Sequence, residues 1–339
     1  MRYGEQEKQM NIVKPHYEII NEPDPIKKIE RAARTCYKSE DKITDESAER
    51  MVRALVKREH FAMLEHASII LESLTDEIQR LVTYFSRGCG RVVELRITDY
   101  AFSGRSIISG NMRAWLEFFK LCISYNETIS EDLASVFLKQ EYVPIFDLID
   151  FRTISSNKKK GFYIELTKED LDTHEMLVHY DLTVKFICDR GVSHEIVRHR
   201  KASYAQESTR YCSYESDGIS VIEPSYLRER KLDFPWLYNA WKDACEAADK
   251  AYNELRIENR PPQEARAVLP TSLKTELVMT ANLMEWRHFF KLRALGTTGK
   301  PHPQIEELAG PLLEELNEQG GKLAMVFGDL ATKWKERRK

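Results

Sequence analysis

The stretch that most constrains this chain runs from Phe186 to Tyr214, FICDRGVSHEIVRHRKASYAQESTRYCSY. Just before it, Tyr180, Leu182, Val184 and Phe186 alternate with His179, Asp181, Thr183 and Lys185, the period of a half-buried strand. The apolar run ends at Cys188, Asp189-Arg190-Gly191 makes a break, and Ser193 is expected to cap a short helix carrying His194, Arg198, His199 and Arg200. A strand thus delivers a dense polar cluster at its carboxyl end, a common place for ligands. On a straight helix Arg198 and Arg200 would point about 200° apart, so they are expected to serve different groups of a large ligand, or two ligands. Three readings of the cluster stay open. It is a solvated basic face complementing a helix dipole, a phosphate or nucleotide site using planar guanidinium forks, or a nucleic-acid contact.

Composition narrows these. A hydrophobic content of 42% with 31% charged residues over 339 positions is that of a soluble globular protein able to bury a substantial core. A formal charge of −3 and a pI near 6.4 give no global basic field, which weakens the nucleic-acid reading. Six scattered cysteines without a C-x-x-C pair read as reduced thiols, and a cytoplasmic location is expected. No apolar run approaches the roughly 20 residues that span a bilayer, and no membrane partner is expected. Residues 1–9 read as a disordered leader.

Along the chain, Asp24-Pro25 is a helix-start signal for a helix to about Tyr37. Asp45 is expected to cap a second helix ending near Arg58, with Met51, Val52 and Leu55 inward. His60 and His66 flank Phe61 to Glu65 before a β-like run, Ala67 to Leu71. The H-E-x-x-H spacing of a metal site is absent, so no metal is expected. Strand-like Val92 to Ile97 precedes Ser109-Gly110-Asn111, which caps an amphipathic helix bearing Met112, Trp115, Phe118 and Phe119. Thr153 to Lys160 reads as a mobile loop. A long helix, about Pro235 to Ile257, is expected to pack through Trp236, Ala240, Ala244 and Ala247. Thr271 to Arg293 reads as one helix of about six turns, with Asn282 and Arg293 within about 20° of one face.

Arg198-His199-Arg200, seven further residues, Ser208 and then Arg210 resemble the signature of the flavin-dependent thymidylate synthases. Two more segments resemble that family in the same order. Glu59 to His66 is similar to its His-containing loop, with Glu59 in place of the usual Gly and Ala62 where many members have a small hydroxyl residue. Ala265-Arg266-Ala267-Val268-Leu269-Pro270, Asn282, Leu292-Arg293 and His302-Pro303-Gln304 are similar to its C-terminal signature, with Met284 where an Arg is common.

The resemblance implies an α+β fold, a twisted mainly antiparallel sheet surrounded by helices, as one domain over 10–339 with an insertion at about 74–174. It implies reductive methylation of dUMP to dTMP, with 5,10-methylenetetrahydrofolate as carbon donor, FAD as cofactor and NADPH as reductant. Arg293, Ser208 and His60 would be catalytic. Glu195, Arg198, Gln206, Glu207, Ser208, Arg210, Arg266 and Arg293 would bind dUMP, while Arg198, His199, Arg200, Asn282 and His288 would bind FAD. A homotetramer with sites shared between subunits is implied, with dUMP and folate as small-molecule partners and no nucleic acid. The absence of G-x-G-x-x-G means that NADPH would not sit on a Rossmann crossover. A nucleic-acid-binding protein, a silent scaffold relative, and an enzyme of related one-carbon chemistry remain the competing readings.

Overall fold

The computed structural model describes residues 10–215 and 218–338; the expected leader at 1–9 lies outside the described residues. Strand β1, His16–Ile19, leads into α1, Pro25–Tyr37, where the Asp24 carboxylate accepts from the N–H groups of Ile26 and Lys27 at 3.0 and 3.3 Å. The Asp24-Pro25 signal therefore marks the helix start as expected. Helix α2, Ser47–Lys57, begins two residues later than Asp45 and has no side-chain cap; Val52 and Leu55 are buried while Met51 is only partly so.

Two antiparallel four-stranded sheets follow from β2, Ser68–Ser73, β3, Arg96–Tyr100, β4, Arg105–Asn111, α3, Met112–Ser124, β5, Tyr163–Glu165, α4, Thr173–His179, β6, Asp181–Asp189, α5, Arg190–Ile196, β7, Ser203–Gln206, and β8, Lys274–Asn282. One sheet has the order β7-β8-β6-β1 and the other β3-β4-β2-β5. Mixed helices and antiparallel sheets make the fold α+β. Asn111 caps α3 by accepting from Ala114 N–H at 2.8 Å, whereas Ser109 and Gly110 belong to β4. The strand expected at Val92 starts at Arg96 instead, because Val92 is exposed to solvent. Residues 153–160, expected to be a loop, include the end of a helical turn, Phe151–Ile154, and a short strand, Ser155–Ser156, paired with Ile129–Ser130.

The expected helix from Thr271 is wrong over its first half. Lys274–Asn282 is β8, paired with β6 from Lys274↔Asp189 to Asn282↔Asp181, and the helix α7 is confined to Leu283–Arg293. Asn282 accepts from Glu285 N–H at 2.9 Å and caps that helix, so Asn282 and Arg293 do not share a helical stripe. β6 also departs from simple alternation. Leu182, Val184, Phe186 and Cys188 are buried, and so are Thr183, Ile187 and Asp189, since β8 and β1 flank it and both faces are covered.

Under this sheet Phe186, Leu277, Met279, Trp286, Phe289 and Phe290 pack against α8, Pro303–Glu318, and α9, Gly321–Arg337. The other sheet and α1 to α3 enclose a second core around Leu64, Leu71, Trp115, Phe118 and Phe119. Polar groups tie the sheets together: Arg96 donates twice to Asp181 at 2.7 Å, and buried His179 lies 2.8 Å from both Thr98 Oγ1 and Ser109 Oγ. Close contact of α8 and α9 depends on Gly310, where an added Cβ would run into the Trp334 ring. Gly310→Ala is expected to cost about 1–3 kcal/mol, read as a fall in denaturation midpoint; an unchanged midpoint would refute this tight packing.

The long helix α6, Pro235–Ile257, forms as expected but buries a different side. Tyr238, Cys245, Asp249 and Tyr252 face inward, while Trp236, Ala240, Ala244 and Ala247 are exposed in the single chain.

Candidate active site

Strand β6 ends at Asp189, and this residue, not Ser193, caps α5 by accepting from Val192 N–H at 2.7 Å. Ser193 lies inside α5, donating to the Arg190 carbonyl at 2.9 Å. α5 stops at Ile196, so Arg198-His199-Arg200 occupies a turn and the helical divergence expected for the two arginines does not apply. The Tyr204 hydroxyl fixes that turn, 2.7 Å from the His199 carbonyl and 3.0 Å from that of Ile196. Arg198 and Arg200 point to solvent, and His199 turns inward against the rings of His288 and Phe289.

Arg293 at the end of α7 meets this turn. Its guanidinium donates to Glu195 Oε2 at 2.7 Å, to the Glu195 carbonyl at 3.0 Å and to His199 Nε2 at 3.1 Å. His199 is therefore an acceptor at Nε2, which requires the neutral ring. Burial first, then the Arg293 and His288 charges, holds its pKa down to about 4. Arg198, Arg200, Lys201, Met284, Glu285, His288 and Arg293 line a cleft of about 540 Å³. With Glu195 committed to Arg293, cations outnumber free carboxylates, and the cleft suits a ligand carrying phosphates or a ring that gains negative charge.

A second group of expected site residues gathers elsewhere. Ser208 N–H donates to the Cys36 carbonyl at 3.0 Å, the Tyr211 ring lies 5.9 Å from that of Tyr37, and Arg266 donates to Thr209 Oγ1 at 3.2 Å. Cys36 and Tyr37 also line a cleft of about 400 Å³ with Leu55, His60, Ala62 and Arg113. His60, Ser208, Arg210 and Arg266 thus come from distant parts of the chain to one neighbourhood, and Arg210 and Arg266 are exposed. Glu65 braces it, accepting from Arg113 at 2.7 Å and Ser203 at 2.9 Å.

Three expected ligand contacts are turned inward. Gln206 donates to Ser193 Oγ and Thr275 Oγ1 at 2.9 and 3.2 Å, and buried Glu207 accepts from Tyr214 and Lys274 at 3.1 and 3.4 Å. Asn282 is used as a cap and donates to the Val178 carbonyl at 3.2 Å. Among the described residues no group of three His, Cys, Asp or Glu is placed to hold a metal, and no helix is long and apolar enough to cross a membrane.

A family model described as thymidylate synthase complementing protein matches residues 18–80 and 126–319. The chain belongs to that family. Flavin-dependent thymidylate synthase from Pyrococcus abyssi is 35% identical over 132 residues, 38% of this chain and 51% of the relative. The enzyme of that name from Geobacter sulfurreducens is 37% identical over 107 residues, 31% and 43% of the two chains. The chain spans about half the length of the curated relatives it matches. Among solved structures, a UMP/dUMP methylase PolB from Streptomyces cacaoi bound with 5-Br dUMP aligns over 94% of this chain and 97% of its own, at 14% identity and TM-score 0.42. Thymidylate synthase X from Helicobacter pylori with FAD and dUMP aligns over 44% and 73%, at 22% identity and TM-score 0.35.

The thymidylate synthase complementing model leaves residues 81–125 unmatched, and Arg113 of the His60 cleft comes from that stretch. Sequence reasoning missed Arg113, Lys201 and Glu285. The signal for Arg113 was its place in the first turn after the Asn111 cap, four residues before its partner Glu117.

Glu59, which stands where the resemblance has Gly, has φ +57°, the left-handed region. Glu59→Gly is expected to relieve strain of about 1 kcal/mol; a lower denaturation midpoint in the variant would contradict this. His66 is fully buried, with Nδ1 2.8 Å from Thr280 Oγ1, and burial pulls its pKa down to about 3. His179 is likewise pulled down to about 4 by burial and Arg96. These folded-state values lie below the unfolded value of about 6.5, so protonation favours unfolding. The stability carried by His66, His179 and His199 is complete above pH 6.5 and is lost on acidification toward pH 4, each contributing at most about 1.4 kcal/mol per pH unit. A melting temperature flat between pH 7 and 4.5 would contradict it.

Proposed function

We propose that this protein is a flavin-dependent thymidylate synthase that converts dUMP to dTMP, with 5,10-methylenetetrahydrofolate as carbon donor and NADPH as reductant. The observation that carries this reading is the Arg293 guanidinium, held by Glu195 and His199 at the head of a cationic cleft in a chain of this family. FAD fits the donor set, since Arg198, Arg200 and Lys201 offer charge to its phosphates and His288 a ring edge, with no buried carboxylate free to repel them. When bound and reduced by NADPH, the flavin would supply the hydride.

The chain's own residues bind and orient. Arg210 and Arg266, exposed beside Ser208, hold the dUMP phosphate, with backbone N–H groups completing the cradle. Arg293 stabilises negative charge on the uracil as its ring attacks, without reorganisation, because Glu195 and His199 already fix its plane. Ser208 positions the uracil without forming a covalent bond, having no general base beside it among the contacts of the described residues. His60 approaches the flavin and folate from its own cleft. Gln206, Glu207 and Asn282 act behind the site, holding the backbone that presents Ser208 and α7. The stretch at about 74–174 is an insertion in a domain over 10–339. The protein works as a homotetramer in the cytoplasm, with Arg198–Arg293 and His60 clefts of different subunits completing each site, and it needs neither nucleic acid nor membrane.

The test is tritium release from dUMP labelled at C5, dependent on FAD, NADPH and methylenetetrahydrofolate together. Ser208→Ala is expected to keep measurable turnover, reduced roughly 10–100-fold. Complete loss of turnover with dUMP binding intact would count against the positioning role.

A further inference from the structure

Helix α2 closes through a tight turn beside the His60 cleft. Glu59 N–H donates to the Val56 carbonyl at 3.1 Å and His60 N–H to that of Leu55 at 2.9 Å, the paired bonds that end a helix through a left-handed residue. That residue is Glu59, at φ +57°, where glycine is the ordinary choice. The fold gains nothing from the Glu59 side chain in return. It is exposed, and among the described residues its carboxylate has neither a hydrogen bond nor an ion pair. Backbone strain of this kind gathers where a ligand uses the residue that bears it.

Glu59 lines the cleft of about 400 Å³ together with Tyr37, Leu55, Phe61 and Met63, so its carboxylate stands among apolar and aromatic walls. The other charged side chain of the lining, Arg113, is answered by Glu65 and Glu117, each at 2.7 Å. Glu59 is therefore the unpaired charge of this lining. A free carboxylate in an apolar cleft suits a ring that presents N–H donors, and two parallel donors engage both of its oxygens.

We propose that Glu59 is a specificity-determining residue for the one-carbon donor, its carboxylate accepting from the 2-amino group and the N3–H of the pterin ring. The inference rests on the synthase reading above and assigns the recognition of one of its substrates. The ring edges of the reactants select this partner. Uracil and the flavin each present, on the pyrimidine ring, one N–H between two carbonyls, and those carbonyls meet a carboxylate with repulsion. The pterin places an amino group beside a ring N–H, two donors on one edge. Its rings lie against Tyr37, Phe61 and Met63, with His60 lining the same cleft.

The experiment compares 6-methylpterin with 6-methyllumazine, which carries a carbonyl in place of the 2-amino group. Affinities are read from broadening of the 6-methyl proton signal on the full chain supplied with FAD. The parent is expected to prefer the pterin by roughly tenfold or more, the scale of hydrogen bonds to a charged group. Glu59→Gln should level that preference, because its amide offers one donor and one acceptor to the lumazine edge. Its denaturation midpoint should be no lower than the parent's, which separates lost recognition from a lost fold. In tritium release the same variant should raise the KM for methylenetetrahydrofolate roughly tenfold and leave that for dUMP within about twofold. No broadening of millimolar pterin by the parent, equal affinity for the lumazine, or a preference that survives Glu59→Gln would each overturn the proposal. A parent that releases no tritium, yet prefers the pterin through Glu59, would support this subsite while ending the synthase reading.

Discussion

Replacing Arg293 with alanine is expected to lower kcat/KM for tritium release from dUMP by roughly two to three orders of magnitude, with the fold intact. The side chain makes three contacts, to Glu195 Oε2, the Glu195 carbonyl and His199 Nε2, and each orients the guanidinium plane instead of stabilising the core. Its loss leaves the Glu195 carboxylate without its cation and removes one of the two charges that depress the His199 pKa. The His199 pKa should therefore rise, which an NMR titration of the ring would read. Arg293→Lys keeps the charge but not the planar fork, and a loss of at least about tenfold is expected to remain. Near-normal turnover in Arg293→Ala would remove Arg293 from the chemistry.

Trp286→Ala should have the largest effect on stability, about 3–5 kcal/mol. Trp286 is fully buried, its Nε1 donates to the Leu182 carbonyl at 3.0 Å, and its ring lies 5.3 to 6.2 Å from those of Phe186, Phe289 and Phe290. It pins α7 to β6, so its removal should also loosen Phe289, against which His199 rests. Urea unfolding of Trp286→Ala and Trp286→Phe would show a graded loss, smaller for Phe. Equal midpoints for parent and alanine variant would mean that this cluster does not anchor the helix.

Much of the fold was legible where local chemistry decides the outcome. Asp24-Pro25 and Asn111 are caps whose side chains satisfy free N–H groups within three residues, and the structure uses both that way. β8 was not legible. Lys274, Glu276, Leu277, Met279 and Ala281 are good helix formers, and the strand follows from the slot between β6 and β7, a tertiary fact that no local window contains. The same holds for the face of Pro235–Ile257. Its alanines suggested close packing, but the larger Tyr238, Cys245 and Tyr252 are what the core accepts.

The candidate site divides in the same way. Arg198, His199, Arg200, His288 and Arg293 do gather around one cleft, whereas of the second set only His60 lines the other; Ser208 reaches its wall through the Cys36 carbonyl and Arg266 reaches only Thr209. Gln206, Glu207 and Asn282 lie beside the motifs but spend their polar atoms on the scaffold, because strand pleat and helix capping turn them inward. Spacing along the chain identifies which segments meet. It does not say which side of a strand faces the ligand.

The measurement that tests the central claim most directly is an absorption spectrum of the protein loaded with FAD, followed by anaerobic addition of NADPH with and without dUMP. Flavin bands that bleach, and bleach faster when dUMP is present, are the predicted result. A colourless protein that takes up no added FAD would contradict the account and return the Arg198–Arg200 turn to a solvated face or a nucleic-acid contact.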